Sequence, residues 1–412
     1  MELYYSFSVL IVLASLFAYL NHRILKLPST IGIMLMAIVV SLVVRFGGNI
    51  IFPGMTDRLM KLLTEFDFTE VLMGAMLNFL LFAGAIHVNF ADLRKQRLPV
   101  LTFSTLSVIL STFVIGYILY HLMPFFGIQL PLMYCLLFGA LISPTDPIAV
   151  LGILKKADVP KSLETKIAGE SLFNDGVAVV LFAVILQLAE TETTKISLGA
   201  VSWLLLKEAG GGLLLGLALG ITASKAIKSI DDYIVSALIT LSVVMGGYMI
   251  AHYLHMSGPL TMVSAGLIIG NLGRAVTMSA ETRDYLGKFW ELIDEILNAI
   301  LFLFIGFELL MIKDLQSYWA ISMVAIFIVL FARFVSIWLP SLVVPFNPRL
   351  SRSSLTVLVW GGLRGGVSIA LVLSLKSGLY KELLLEMTYF VVVFSIVVQG
   401  LTVGKVAGKV IR

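Results

Sequence analysis

Long apolar runs alternate with short polar connections along the whole chain. Charged residues, proline or glycine bound each run, and most runs are close to the ~20 residues with which a helix crosses a hydrocarbon core about 30 Å thick. The first run has no basic start and no small-residue cleavage site, so we interpret it as a spanning helix and not as a signal peptide. The pattern predicts about thirteen spans, at residues 3–21, 28–46, 68–90, 99–123, 131–154, 163–189, 207–226, 232–254, 258–273, 291–312, 317–345, 353–375 and 384–404.

The composition places the chain in a membrane. Hydrophobic residues make up 59% and charged residues 13% of the 412 residues, whereas soluble proteins average about half and about a quarter. The mean hydropathy of +1.01 leaves no room for a large soluble domain. We therefore predict an all-α polytopic membrane protein without a nucleic-acid partner, in spite of its net charge of +4. The single cysteine, Cys135, excludes an intramolecular disulfide and cysteine-rich metal sites.

The basic residues in the connections predict the orientation of the chain in the membrane. If the N-terminus lies outside, nineteen of the 29 Lys and Arg residues fall in inner loops or the C-terminal tail, and eight fall in outer loops. Cytoplasmic loops are enriched in these residues. The count therefore predicts thirteen spans in the plasma membrane, with the N-terminus outside and the C-terminus in the cytoplasm.

Five ionisable residues interrupt the apolar spans, where a charge is costly and by default is functional or paired. Taken as ionised, they leave one net negative charge, which is what a site for one monovalent cation or one proton requires. They are Asp146 on span 5, Glu170 and Asp175 on span 6, Arg333 on span 11 and Arg364 on span 12.

Prolines and glycines predict two broken helices at matching depths. Pro144 and Pro147 lack amide hydrogens, so span 5 is expected to unwind around Thr145 and Asp146 and to free carbonyl oxygens that sodium-like ions accept. In span 12, four glycines surround Arg364, which is expected to offset the negative helix ends at a crossing. The two spans run in opposite directions in the thirteen-span topology, as in the inverted repeats of transporters.

Span 6 presents its polar residues on one side. At about 100° per residue, Glu170, Ser171, Asn174 and Asp175 share a face that can turn toward span 5. One interpretation is that each buried charge belongs to an ion pair that holds the bundle together. The clustering of acids, hydroxyls and an amide at a broken helix instead favours an ion-binding role for the two aspartates, and it leaves Glu170 and Arg333 as a structural ion pair.

Other polar segments carry weaker signals. Glu308, near the outer end of span 10, is expected either to guard an entrance or to face water. Asp294 and Glu295, at the inner end of the same span, either attract cations to a funnel or begin a solvated helix, and the second interpretation is slightly favoured. Ser197 to Leu206 and Ser279 to Glu291 have the amphipathic pattern of helices that lie on the membrane surface.

Three short segments contain most of the polar residues described above. They are Ser-Pro-Thr-Asp-Pro-Ile-Ala-Val at 143–150, Gly-Glu-Ser-Leu-Phe-Asn-Asp-Gly at 169–176 and Gly-Gly-Leu-Arg-Gly-Gly at 361–366. In sequence, order and spacing, these segments resemble the NhaP-type sodium/proton antiporters of the cation:proton antiporter superfamily. The resemblance extends over essentially the whole chain.

The resemblance implies a homodimer in which a core domain with crossed, broken helices moves against a dimerisation domain. The core is expected to include residues 99–189 and 317–404. The dimerisation helices are expected to come from residues 1–67 and 207–312, and the two domains together form a single transmembrane unit over residues 1–412.

The resemblance also implies roles for individual residues. Many relatives carry an acid on the third span near residues 80–85, where this chain has Ala83, so no ligand is expected from that helix and Asn78 is a weak substitute. The implied roles are ion binding by Asp175, Asp146, Ser171 and the Thr145 main chain, positioning of Asp146 or its neighbours by Asn174, and pairing of Glu170 with Arg333.

We predict secondary active exchange of sodium or lithium for protons by alternating access, with Asp175 as the carboxylate that both ions share. Because Asn174 precedes it in place of a second acid, one proton is expected to move per cation, without net charge and without a resident cofactor. Potassium/proton exchange is the nearest alternative, since oxygen ligands alone do not select the ion. A cation channel or a membrane hydrolase is less well supported, because the sequence contains neither repeated filter-like loops nor a Gly-x-Ser-x-Gly or His-Glu-x-x-His motif.

Overall fold

A computed structural model describes the chain as helices joined by short connections. The described residues are 2–51, 71–156, 159–190, 198–230, 232–272, 278–312, 318–346, 350–376 and 378–411, and they contain no β-strand. The start of the predicted third span, residues 68–70, and residues 52–67 of the predicted dimerisation helices lie outside these ranges.

The helices follow the predicted apolar runs closely. Five π-helical turns extend or join them, at Asn21–Leu25, Leu72–Met76, Thr102–Leu106, Leu206–Gly210 and Ser395–Gln399. In chain order the helices are α1 (Glu2–Leu20), α2 (Ser29–Ile51), α3 (Leu77–His87), α4 (Phe90–Lys95), α5 (Arg97–Leu101), α6 (Ser107–Leu122), α7 (Leu132–Ile142), α8 (Ile148–Lys156), α9 (Lys161–Glu190), α10 (Leu198–Leu205), α11 (Gly211–Ile230), α12 (Tyr233–Tyr253), α13 (Gly258–Leu272), α14 (Ala280–Met311), α15 (Trp319–Val343), α16 (Arg352–Trp360), α17 (Gly366–Leu373), α18 (Leu379–Phe394) and α19 (Gly400–Ile411).

The apolar surface is that of an integral membrane protein. Within the described ranges, eight helices are long and apolar enough to cross a membrane, and three shorter apolar helices accompany them. Large side chains such as Phe327 and Met249 are about two-thirds exposed, which is the kind of surface that lipid covers. The all-α membrane architecture is therefore confirmed, and the count of thirteen spans stays a prediction.

Neither predicted surface helix is a separate element. Residues 198–205 continue through a π-helical turn into α11, and residues 280–291 form the first turns of the 32-residue helix α14. The prediction was wrong because charges in the first half of α14 suggested a boundary, although no proline interrupts the helix. Several acidic residues of this half instead border an internal cavity, so they do not end the span.

Both predicted helix breaks are present. Span 5 consists of α7 and α8 with residues 143–147 between them, and span 12 consists of α16 and α17 with residues 361–365 between them. Helices α8 and α16 both pack beside α19. The second half of span 5 and the first half of span 12 therefore lie on the same side of the two breaks. The two broken helices therefore cross with opposite directions, which is the inverted arrangement predicted from the sequence.

Helices α11 and α13 pack with their backbones in close contact. A Cβ atom on Gly216 of α11 would lie 2.2 Å from the Thr261 carbonyl oxygen of α13. The Thr261 hydroxyl donates a hydrogen bond to the Gly212 carbonyl across the same contact, at 3.1 Å. Small residues thus let two membrane helices approach without side chains between them.

Candidate ion-binding site

The two helix breaks bind each other through the main chain. The Asp146 amide donates a hydrogen bond of 2.8 Å to the Leu363 carbonyl. At Gly365 the approach is so close that an added Cβ atom would lie 2.4 Å from Asp146 Oδ2. Only glycine fits at this position, because any side chain would displace the aspartate. The crossing therefore places Asp146 directly against the backbone of the second broken helix.

Arg364 neutralises the helix ends that meet at the crossing. Its guanidinium Nη1 donates to the Ser143 carbonyl and to the Pro144 carbonyl, the latter at 3.1 Å. These carbonyls follow the end of α7, and Pro147 lacks the amide hydrogen that the Ser143 carbonyl would accept in a continuous helix. The side chain is 2% exposed, so the interaction is shielded from water. A cation at the C-terminal end of a helix is stabilised by the helix dipole.

The polar face of α9 contacts the break in span 5 through Thr145. The Ser171 and Thr145 hydroxyl oxygens are 3.1 Å apart, and Asn174 donates its amide Nδ2 to the Thr145 hydroxyl at 2.8 Å. All three side chains are buried. The structure therefore brings these predicted residues together, and Asn174 holds a neighbour of Asp146 rather than Asp146 itself.

Asp175 lies one residue further along the same helix and differs in its surroundings. Its side chain is 8% exposed and borders an internal cavity, and no described residue donates a hydrogen bond to its carboxylate. Asp146 also borders the cavity and is close enough to interact electrostatically with Asp175. Two carboxylates and two hydroxyls therefore converge at one point of the cavity wall, which is a set of hard oxygen atoms suited to a sodium-like cation.

Glu170 and Arg333 form a separate, buried ion pair. Arg333 Nη1 donates to Glu170 Oε1 at 2.5 Å, and Arg333 Nη2 donates to the Leu358 carbonyl at 2.9 Å. Both residues are buried, and neither borders the cavity that Asp175 borders. The pair links α9 to α15 and α16, in agreement with the expected ion pair.

The cavity has a volume of about 730 Å³ and leads from the site to the side of the membrane on which α9 begins. Lys161, the first residue of α9, forms an ion pair with Asp92 at 3.1 Å on the cavity wall. This side is cytoplasmic in the predicted topology. The acidic residues that border the cavity are Asp92, Asp146, Glu164, Asp175, Glu291, Asp294 and Glu295.

The surplus of acidic groups gives the cavity a negative potential, which concentrates cations near the site. Asp294 and Glu295 belong to this wall and lie within α14, which begins at Ala280, so they are not at the start of a helix. The electrostatic influence of Asp146 reaches Asp294, although the two residues lie on different helices.

The structure adds contacts that sequence reasoning missed. Ser368, on α17, borders the cavity with a buried hydroxyl that has no hydrogen-bond partner among the described residues. Ser395 accepts the Arg364 amide at 2.9 Å and donates to Gln399 at 2.8 Å. The sequence shows these residues only as isolated polar side chains in apolar spans. It does not show which groups of other helices they contact.

Ala83 borders the cavity on α3, so α3 presents a methyl group and not an acid at this point of the wall. Asn78 lies away from the cavity and donates its amide to the Gly74 carbonyl at 3.1 Å. Glu308 is 1% exposed, so the expectation that it faces water was wrong.

Comparisons with known proteins cover nearly the whole chain. Residues 11–409 match the family model described as the transmembrane sodium/hydrogen exchanger. The Na(+)/H(+) antiporter NhaP of Pseudomonas aeruginosa is 47% identical over 407 residues, covering 97% of this chain and 95% of that protein. The Na(+)/H(+) antiporter NhaH of Halobacillus dabanensis is 35% identical, covering 94% of this chain and 93% of that protein.

Solved structures show the same fold. The sodium proton antiporter MjNhaP1 from Methanocaldococcus jannaschii at pH 8 superposes with a TM-score of 0.78. The match covers 99% of both chains at 20% sequence identity. At this identity the likeness concerns the arrangement of the helices alone.

Proposed function

The chain belongs to the sodium/hydrogen exchanger family and is therefore a transporter rather than an enzyme, and on that premise we propose that it exchanges sodium or lithium for protons across a plasma membrane. The family relationship is supported over almost the full chain, and the relatives reported above carry the name of Na(+)/H(+) antiporters. No resident cofactor takes part in this mechanism, because sodium and protons are the transported substrates.

The observation that carries the proposal is the position of Asp175. Its carboxylate lies at the cavity wall beside Asp146, near the Thr145 and Ser171 hydroxyls and without a hydrogen-bond donor from the described residues. An anion in such a poorly hydrated place is costly unless a proton or a cation neutralises it. We propose that sodium and protons compete for this carboxylate.

Competition at one carboxylate couples the two ion movements. When Asp175 holds a proton or a sodium ion, its charge is neutralised and the site crosses the barrier at low electrostatic cost. When it holds neither ion, a bare charge opposes the movement, so the empty site stays on its side of the membrane. Each inward passage of one ion is thereby linked to the outward passage of the other, which is alternating access.

One proton is exchanged for each sodium ion in this proposal. Asn174 precedes Asp175 and donates to Thr145, so it contributes no second exchangeable proton. The transport cycle then moves no net charge. We further propose that the core helices of residues 99–189 and 317–404 carry the site, while residues 1–67 and 207–312 form the dimerisation side of a homodimer. The N-terminus lies outside the cell in this arrangement.

The proposal is tested with purified protein in sealed liposomes that contain a pH-sensitive dye. Internal pH is followed after pulses of sodium, lithium, potassium or choline, with and without a potassium/valinomycin voltage clamp. We expect a pH change with sodium or lithium that the clamp does not alter, because the exchange is electroneutral.

Other outcomes separate the alternatives. A response to potassium in preference to sodium keeps the exchange mechanism and changes the substrate. A rate that depends on the imposed voltage at zero ion gradient contradicts the one-to-one exchange. Sodium flux without any pH change contradicts antiport and favours a channel.

A further inference from the structure

The polar face of α14 continues beyond the end of the cavity. Glu291, Asp294 and Asn298 border the cavity in successive turns, and Leu301 is the last residue of α14 that borders it. Glu308 follows Leu301 by seven residues, which places it about 20° away on the same face and about 10 Å further along the axis. One face of α14 thus borders the cavity as far as Leu301, and the same face carries Glu308 further toward the opposite side of the membrane.

Leu301 closes the cavity between these two regions. A Cβ atom on Gly366, the first residue of α17, would lie 2.4 Å from Leu301 Cδ2, so the leucine presses directly against the broken helix. The neighbouring residues Phe302 and Ile305 are fully buried as well. This contact between α14 and α17 is the apolar barrier that separates Asp175 from the opposite side of the membrane.

Beyond the barrier, Glu308 faces a buried polar group on α18. Leu309, the next residue of α14, packs with Tyr389 in one buried cluster, and the Glu308 carboxylate lies within electrostatic reach of Tyr389. Tyr389 precedes Ser395 by six residues, so it lies about 9 Å from the depth of the crossing on the side opposite the cavity. Glu308 and Tyr389 therefore meet at the same depth, one from each side of the interface.

The polar groups of this pair are unsatisfied by the described residues. Both Glu308 carboxylate oxygens and the Tyr389 hydroxyl are buried without a hydrogen-bond partner there, and the two residues are 1% and 4% exposed. A buried carboxylate without donors requires a proton or a cation beside it. Packing alone gives no reason for such a group, because an apolar residue of similar size would fill the same space without that cost.

The basic residues near Glu308 donate hydrogen bonds to main-chain carbonyls. From α2, Arg45 donates to the Leu309 and Ile312 carbonyls at 2.8 Å and 2.7 Å. On the same side, Lys381 of α18 is within electrostatic reach of Glu308 and donates to the Leu373 carbonyl at 2.6 Å. These two cations cap the ends of α14 and α17, and Glu386 is the further acid that α18 buries in this half of the protein.

We propose that Glu308 is a second ion-accepting group, which receives the monovalent cation or proton when the α14 interface opens to the side opposite the present cavity. Glu308 then does for that side what Asp294 and Glu295 do for the cavity in this conformation: it attracts the cation toward the Leu301 barrier. The inference rests on the proposed exchange function. Tyr389 supplies the facing hydroxyl of the same route.

Sided transport kinetics test the role of Glu308. The protein is reconstituted in one orientation, and exchange is measured with sodium supplied from either side of the membrane. Glu308→Gln is expected to raise the half-saturating sodium concentration about fivefold on the side opposite the cavity and to leave it unchanged on the cavity side. Glu295→Gln, on the same helix, is the matched control and is expected to show the reverse pattern.

An equal effect of Glu308→Gln on both sides, or no effect on either, would overturn the proposal. A loss of thermal stability that accompanies an equal loss of activity on both sides would assign Glu308 a packing role instead. The wild-type protein is measured in the same experiment, so absence of sodium/proton exchange there would contradict the proposed function and not this inference alone.

Accessibility provides a second test that does not depend on transport rates. Glu308→Cys is made in a Cys135→Ala background and treated with a membrane-impermeant thiol reagent during an imposed sodium gradient. We expect labelling from the side opposite the cavity, because the residue meets water when that route opens. Leu303→Cys, fully buried on the same helix, is the control that stays unlabelled. Labelling of the Glu308→Cys variant from the cavity side only, or from neither side, would contradict the proposal.

Discussion

Glu170 and Asp175 lie five residues apart on α9, and both carboxylates are shielded from bulk water. Glu170 accepts a hydrogen bond of 2.5 Å from Arg333, and that arginine also binds the Leu358 carbonyl. Asp175 receives no hydrogen bond from the described residues and borders a cavity that leads to one side of the membrane. Burial alone therefore does not identify the functional acid. We propose that the acid without a hydrogen-bond donor from the described residues is the one that binds the transported ion.

The largest expected effect is at Asp175. Asp175→Asn retains the size of the side chain and removes the carboxylate for which we propose that sodium and protons compete, so sodium-dependent pH change in liposomes is expected to fall to the level without protein. Asp284→Asn is the matched control, because Asp284 is exposed on α14 and forms its ion pair with Lys288 one turn away. Transport by Asp175→Asn at a rate near that of the wild type would contradict the proposed difference in role between Asp175 and Glu170.

The next largest loss is expected where the second broken helix touches Asp146. Gly365→Ala introduces a methyl group 2.4 Å from Asp146 Oδ2, which must shift the carboxylate away from the site. A displacement of this kind is expected to reduce the maximal transport rate about tenfold or more. Gly246→Ala is the control, since no atom lies within 4 Å of an added Cβ there. Unchanged transport in Gly365→Ala would show that the crossing does not position Asp146.

Glu170→Gln tests the role of the buried ion pair between Glu170 and Arg333. It leaves the Arg333 guanidinium buried without its counter-ion, which costs about 3–5 kcal/mol, and the unfolding temperature in detergent is expected to fall. The double variant Glu170→Leu with Arg333→Met removes both charges and should recover part of the lost stability. A Glu170→Gln protein with full thermal stability and no transport would instead place Glu170 in the ion pathway.

The smallest expected effect concerns the support of Thr145. Asn174→Ala removes the 2.8 Å hydrogen bond to the Thr145 hydroxyl. A bond of this type contributes about 0.5–1.5 kcal/mol, so the half-saturating sodium concentration is expected to rise about two- to tenfold with little change in maximal rate. Thr222→Ala is the control, because that exposed hydroxyl donates to a carbonyl of its own helix, α11. Complete loss of transport in Asn174→Ala would indicate a larger role than positioning.

Much of the architecture was predictable from local chemistry. The membrane location follows from apolar runs, and both helix breaks follow from Pro144, Pro147 and the glycines around Arg364, because closely spaced prolines remove helical amide donors and clustered glycines weaken a helix. The common face of Ser171 and Asn174 follows from helical periodicity. The grouping of these residues with Thr145 in the structure agrees with that prediction, while their part in ion binding stays a prediction.

Other features depend on partners that are distant in the chain. Charge in residues 279–291 suggested a surface helix, but these residues form the first turns of the long helix α14, and Glu291 at their end borders the cavity. The position of Glu308 near a helix end suggested either an entrance or contact with water, yet the residue is buried in the structure. Helical periodicity indicates which residues share one face of a helix. It contains no information about which residues of another helix lie opposite that face.

The sequence by itself determined that this is a helical membrane protein with two interrupted spans and buried acids, because apolar length, proline, glycine and periodicity act locally. The pairing of Glu170 with Arg333 was also expected from the sequence, but only the tertiary structure shows how the contacts of Glu170 and Asp175 differ. That difference arises because Arg333 comes from a helix some 160 residues further along the chain and binds Glu170, whereas Asp175 faces Asp146 and the cavity. The Leu301 contact with Gly366 likewise exists only after packing, because it joins α14 to α17.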